Sequence, residues 1–309
     1  MVIGTLSGSS GTCAGRPAIT ATVAGRSCPE GDGGDGTAGS LTHASLVVPS
    51  RLHGHGTSRV VAVLTTLLHG RAFAEKFGSG APRAVALHGW GRTRLDWAST
   101  LDGSDALALD LPGFGATPAP EEAWGSQEYA AWVGEILVDL DRPVLVGHSF
   151  GGRVAVQLAA RSPELVRGVV LTGVPLLRGP GGGRPARGYR IARALHRRGL
   201  LGDARMEAQR QKHGSADYRA AQGVMRDVLV RTVNEDYSEQ LAAMAAHGVP
   251  VAMVWGEHDT AASVEVARAA HRLLGDEVTL TVVPGSAHLL DPALVAAIRS
   301  EIDRLGAVS

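Results

Sequence analysis

Four short stretches of the chain carry residue types that together could cleave an acyl bond. Gly147-His148-Ser149-Phe150-Gly151 presents a serine hydroxyl between two glycines. A hydroxyl is a weak nucleophile, so it needs a base within hydrogen-bond reach and a group that orients that base. Trp255-Gly256-Glu257-His258-Asp259 and Gly285-Ser286-Ala287-His288 supply an acid and a base in the chain order serine, acid, histidine. His88-Gly89-Trp90-Gly91 supplies a loop whose backbone can donate to a developing oxyanion. The expected roles are Ser149 as nucleophile, His288 as general base and Asp259 as the acid that orients the base. The backbone N–H groups of Trp90 and Phe150 are the expected oxyanion donors, and His88, Gly89 and His148 are substrate-pocket candidates.

These residues work only if the right elements hold them. Pro143–Gly147 reads as a buried strand and Phe150–Arg161 as a helix, so Ser149 falls on a sharp strand-to-helix turn. Side chains two positions either side of the serine would collide there, so both positions must be glycine, and Gly152 helps the helix approach the neighbouring strand. Asp259 follows a strand at Val249–Trp255, and His288 follows one at Val278–Val283. His88 ends a strand at Arg83–His88, which places every candidate at the carboxyl ends of strands. Glu257 and Asp291 are the nearest competing carboxylates, and Asp259 could instead cap the helix at Ser263–Leu274. His258 reads as a turn residue rather than a second base, and Asp110 as a turn former.

The remaining pattern is that of strands separated by crossover helices in a mainly parallel sheet. Val60–Leu68 and Ala72–Phe77 suggest an opening antiparallel pair. Arg94–Leu101 follows as a short helix, Ala106–Asp110 as a strand, and Gln127–Leu140 as a helix. Val166–Thr172 is a further strand and Pro292–Leu305 a closing helix. The alternation stops between Leu176 and His247, a helical insertion with no strand candidate. Its first half holds Arg178, Arg184, Arg187, Arg190, Arg193, Arg197, Arg198, Arg205, Arg210 and Lys212 against Asp203 and Glu207.

Composition sets the outer limits. With 30 basic and 30 acidic residues, the chain of 309 gives no reason to expect a nucleic-acid or membrane-surface partner. Its apolar runs, such as Val60–Leu64, fall far short of the roughly 20 residues that cross a bilayer. No basic start with an apolar run marks a signal peptide, so a cytoplasmic location is expected. Residues 1–57, rich in Gly, Ser, Thr and Ala, read as a disordered leader. Cys13 and Cys28, both in that leader, form no metal or disulfide pattern.

From about residue 60 to its end the chain resembles an α/β-hydrolase. The resemblance rests on His88–Gly91, Asp110-Leu111-Pro112-Gly113-Phe114-Gly115, the turn at Ser149, Asp259 and His288, in the family's order. It implies a three-layer α/β/α fold over residues 58–309, with a mostly parallel central sheet and a helical cap at about 176–247. It also implies a two-step cleavage of a carboxylic ester or thioester in a small-molecule acyl substrate, through an acyl-enzyme, with no cofactor and no metal. A serine at the elbow argues against haloalkane dehalogenases and epoxide hydrolases, which use an aspartate there. With a free imidazole titrating near about pH 6.5, activity should rise with pH through neutrality. A C–C bond hydrolase or a perhydrolase would use the same triad. A non-catalytic ligand-binding member would not need every catalytic position filled, as all are here. The Trp90 loop and the Asp110–Gly115 turn are also similar to those of the carboxylesterase that demethylates pimeloyl groups on acyl-carrier protein, although its elbow reads differently. The basic insertion would suit an acyl-carrier protein or another anionic substrate, and an arginine-rich composition accounts for it as well.

Overall fold

Eight strands and ten helices follow one another along the residues described by the computed structural model, which are 63–178, 187–213 and 215–307. The expected leader at 1–57, with Cys13 and Cys28, lies outside them, as do the first residues of the expected opening strand. The strands are β1 (Val63–Leu67), β2 (Ala72–Phe77), β3 (Ala84–Leu87), β4 (Ala106–Asp110), β5 (Val144–His148), β6 (Gly168–Thr172), β7 (Val251–Gly256) and β8 (Thr279–Val283). They form one sheet in the order β1-β2-β4-β3-β5-β6-β7-β8. β1 and β2 pair antiparallel, as do β2 and β4, and every pair from β4 to β8 is parallel.

The sequence of β3 and β4 explains how both faces of this sheet are filled. Ala84-Val85-Ala86-Leu87 and Ala106-Leu107-Ala108-Leu109 alternate small and large, and alternate residues of a strand point to opposite faces. Val85, Leu87, Leu107 and Leu109 join the larger core with Leu145, Leu171, Met253 and Trp255. That core lies under α2 (Ser126–Leu137), α3 (Phe150–Arg161), α8 (Ser238–Ala246) and α9 (Val264–Leu274). The alanines turn to the other face, where they leave room for the fully buried Trp97 and for Leu101 of α1 (Ala98–Leu101). Leu294, Ile298 and Ile302 of α10 (Pro292–Gly306) complete that second core. A fully buried Leu or Val contributes about 1.5–3 kcal/mol relative to exposure, so the two faces together hold the layers in place.

The described residues form a three-layer α/β/α domain, as expected, with two differences of detail. Arg94–Leu101 is a 3-10 turn at Arg94–Trp97 that runs into α1, not one helix. The segment between β6 and β7 holds α4 (Arg187–Arg197), α5 (Asp203–His213), α6 (Ala216–Ala220), α7 (Gly223–Thr232) and α8, with no strand among the described residues. It was expected as a single insertion. Instead α8 packs on α3 and α9 and sends Leu241 and Met244 into the larger core, so it belongs to the main helical layer. Missing strands mark an insertion, but helical composition does not tell which layer a helix joins.

β3 is the point where strand order reverses, with β4 on one side and β5 on the other. Crevices at such a point, beyond the carboxyl ends of the strands, are where ligands bind in open α/β sheets. β8 forms the opposite edge, and four of its five residues are half-buried or exposed. No helix among the described residues is long and apolar enough to cross a membrane.

Candidate active site

Ser149 stands between β5 and α3 with φ 50° and ψ −110°, a conformation an L-residue adopts only under constraint. Backbone bonds supply the constraint: Ser149 N donates to Thr172 O at 3.0 Å, and Gly151 N donates to His88 O at 3.0 Å. The flanking glycines are a steric necessity. A Cβ on Gly147 would lie 2.5 Å from Gly152 Cα, and one on Gly151 would lie 2.3 Å from Leu87 O. Both clashes are with backbone, which cannot swing aside.

Asp259 and His288 meet beyond the ends of β7 and β8. Asp259 Oδ2 lies 2.8 Å from His288 Nδ1, and Asp259 Oδ1 accepts the N–H groups of Ala261 and Ala262 at 2.8 Å each. Three bonds fix the carboxylate, whose side chain is 1 % exposed. Gly173, with φ 59°, leaves space for the pair, because a Cβ there would come within 3.1 Å of both Asp259 Oδ2 and the His288 ring. The competing carboxylates are occupied elsewhere. Asp291 caps α10 by accepting from Ala293 N and Leu294 N, and Glu257 accepts from Gly285 N. His258 is an exposed turn residue.

The loop after β3 closes over the elbow. Trp90 and Phe150 both line a cavity that Ser149 and His288 also line, and neither backbone N–H has a hydrogen-bond partner among the described residues. Trp90 packs edge-on against Phe114 and Phe150, with ring centroids at 5.0 and 5.4 Å, which fixes the loop sideways. His88 was expected at the pocket wall, and the structure puts it elsewhere. It is fully buried and is not among the lining residues. Its Nε2 accepts the N–H of Leu111 at 3.0 Å, so Nδ1 carries the proton and donates to Gly89 O at 2.8 Å. Burial holds its pKa below the ordinary imidazole value. Asp110 organises the neighbouring turn: it accepts from Arg94 N and Ala116 N and pairs with the Arg94 guanidinium.

Gly89 and His148 do line the cavity, which has a volume of about 390 Å³. His148 Nε2 donates to the backbone carbonyl of His288 at 2.9 Å and so ties the elbow to the loop that carries His288. Its Nδ1 is buried without a partner. Burial first, and the neighbouring His288 second, push its pKa down to about 4. An unfolded histidine titrates near about 6.5, so between these values the unfolded chain binds the extra proton and stability falls as pH falls. Urea titrations at pH 7 and pH 4.5 are expected to show His148 contributing about 2–3 kcal/mol of the loss. His148→Gln, which keeps an N–H donor, should lose that share, and an unchanged pH slope in the variant would refute the assignment.

Sequence reasoning missed Arg153, which lines the same cavity from the start of α3. Its signal was available, since a cation near a helix N-terminus opposes the helix dipole and needs a reason.

A family model described as Alpha/beta hydrolase family matches residues 84–298. An esterase of Mycobacterium tuberculosis is 36% identical over 110 residues, covering 34% of this chain and 37% of that protein. A pimeloyl-[acyl-carrier protein] methyl ester esterase of Aeromonas salmonicida is 41% identical over 102 residues, covering 31% of this chain and 39% of that one. The matched stretches thus span little more than a third of those two relatives. Among solved structures, a thermophilic esterase from Thermogutta terrifontis superposes with a TM-score of 0.53 at 21% identity, over 81% of this chain and 100% of that chain.

Proposed function

Because the chain belongs to the alpha/beta hydrolase family, we propose that it is a serine hydrolase that cleaves a carboxylic ester or thioester through Ser149, His288 and Asp259. The observation that carries this reading is the 2.8 Å contact of His288 Nδ1 with the buried Asp259 Oδ2, behind a cavity that Ser149 and His288 both line. With Nδ1 engaged by the carboxylate, the lone pair of His288 is on Nε2, where a base must have it. Ser149 Oγ attacks the acyl carbon and His288 takes its proton. The oxyanion is met by the N–H groups of Trp90 and Phe150, which have no partner among the described residues. The carbonyl re-forms, the alcohol or thiol leaves with the proton from His288, and water activated by His288 then releases the acid from the acyl-enzyme.

The helical segment between β6 and α8, in this reading, caps the cavity: Asp217 of α6, Leu229 and Thr232 of α7, and Val233 just past the end of α7 reach its lining. Small acyl esters fit such a space. Delivery on an acyl-carrier protein is the finer possibility supported by the Aeromonas relative and the arginine-rich insertion. Incubation of the wild-type protein with a fluorophosphonate, followed by peptide mass mapping, should put the adduct on Ser149, and p-nitrophenyl butyrate should be turned over. Folded protein that is neither labelled nor active on the ester would overturn the reading.

A further inference from the structure

We propose that the cavity takes an acyl substrate bearing a second, anionic group, a carboxylate or its equivalent, and that Arg153 receives that group; this rests on the serine-hydrolase reading of the same site. Arg153 is four residues past Ser149 and so about one turn, roughly 5.4 Å, further along α3. Arg153 is among the residues that line the cavity, together with Ser149 and His288.

The guanidinium is under-used where it stands. It has five N–H donors, and one of its terminal nitrogens donates to Thr232 O at 2.5 Å. Its Nε is buried without an acceptor. Among the described residues no carboxylate forms an ion pair with it. Glu235 lies close enough to act on its charge, but the oxygens of Glu235 already accept from Ser126 N and the Tyr237 hydroxyl. Burial lowers the Arg153 pKa from its ordinary value despite Tyr237 and Glu235, which act the other way. Buried charges are ordinarily paired, because desolvation costs more than a single neutral hydrogen bond returns. The other cation of the lining, Arg92, is already paired with Asp96 at 2.6 Å.

Tying α3 to the end of α7 would need only one N–H donor, and a planar fork is not required for that. A fork is what a carboxylate selects. The rest of the lining suits a chain with an apolar body and a charged end: Leu229, Val233 and Leu289 are apolar, and Asp217, the acid of the lining, is exposed to solvent.

The test compares the p-nitrophenyl hemiester of adipic acid with its methyl-capped neutral counterpart. In the wild type, kcat/KM is expected to favour the charged ester by about tenfold or more, and Arg153→Gln should bring the ratio down by a similar factor. Arg153→Lys should recover part of it. The ratio carries the result, because loss of fold or of general activity moves both esters alike. Should Arg153→Gln fail to fold, Arg153→Lys stands in, with a drop of about threefold or more expected. A wild-type preference for the neutral ester, or a ratio unmoved by the substitution, would overturn the proposal. If wild type hydrolyses neither adipoyl ester, fluorophosphonate labelling and butyrate turnover decide on the serine-hydrolase reading, and calorimetric titration with adipate decides on the anion site. Binding lost in Arg153→Gln upholds it, while equal binding or none overturns it.

Discussion

Ser149→Ala is expected to lower kcat for a short p-nitrophenyl ester by roughly 10⁴- to 10⁶-fold while leaving the protein folded. In the proposed mechanism the loss is large because the acid–base pair and the oxyanion donors all act on an attack that the hydroxyl alone begins. The fold survives because the Ser149 side chain makes no capping hydrogen bond and the strain of the turn lies in its backbone. Alanine and serine pay the same penalty at φ 50°. Steady-state turnover, fluorophosphonate labelling and a thermal melt of the variant check this. Retention of more than about a tenth of the wild-type rate would mean that another group begins the reaction.

Asp259→Asn is expected to cost about 10³- to 10⁴-fold in kcat, again with little change in melting temperature. The amide oxygen can keep the two bonds from Ala261 and Ala262, so the turn stays built. What changes is the atom facing His288 Nδ1, which becomes an N–H₂ donor. The imidazole is then expected to move its proton to Nε2 in order to accept at Nδ1, which blocks the nitrogen proposed as base. Kinetics on the neutral ester, with a nitrogen chemical-shift measurement of the His288 tautomer, test the chain of cause. Full activity with the proton on Nε2 would remove His288 from the role of base.

The site was legible in the sequence where sterics dictate the residues. The elbow is such a place, since Gly147 and Gly151 face backbone at distances that admit no Cβ. Asp259 was legible by position alone, and geometry was needed to set it apart from Asp291, which occupies itself with the first turn of α10. His88 was not legible, because the bond between its ring and Leu111 joins two strand ends that are remote in sequence. The fold followed from the period-two alternation of β3 and β4 and from strand runs whose ends fall within a few residues of those observed. The membership of α8 in the main layer depends on contacts with α3 and α9 that a helical pattern does not encode.

The proposed base, His288, hangs from the margin of the sheet. β8 is an edge strand with Thr281 exposed and Val283 its one buried residue, and the loop it carries is moored at Asp259, at His148 and at Glu257. Local openings with small free energies begin at such margins, long before a central strand lets go. Were that mooring to slip, Ser149 would keep its place and lose the group proposed to take its proton. On the proposed mechanism, the share of time this loop stays moored would limit how warm the molecule can work.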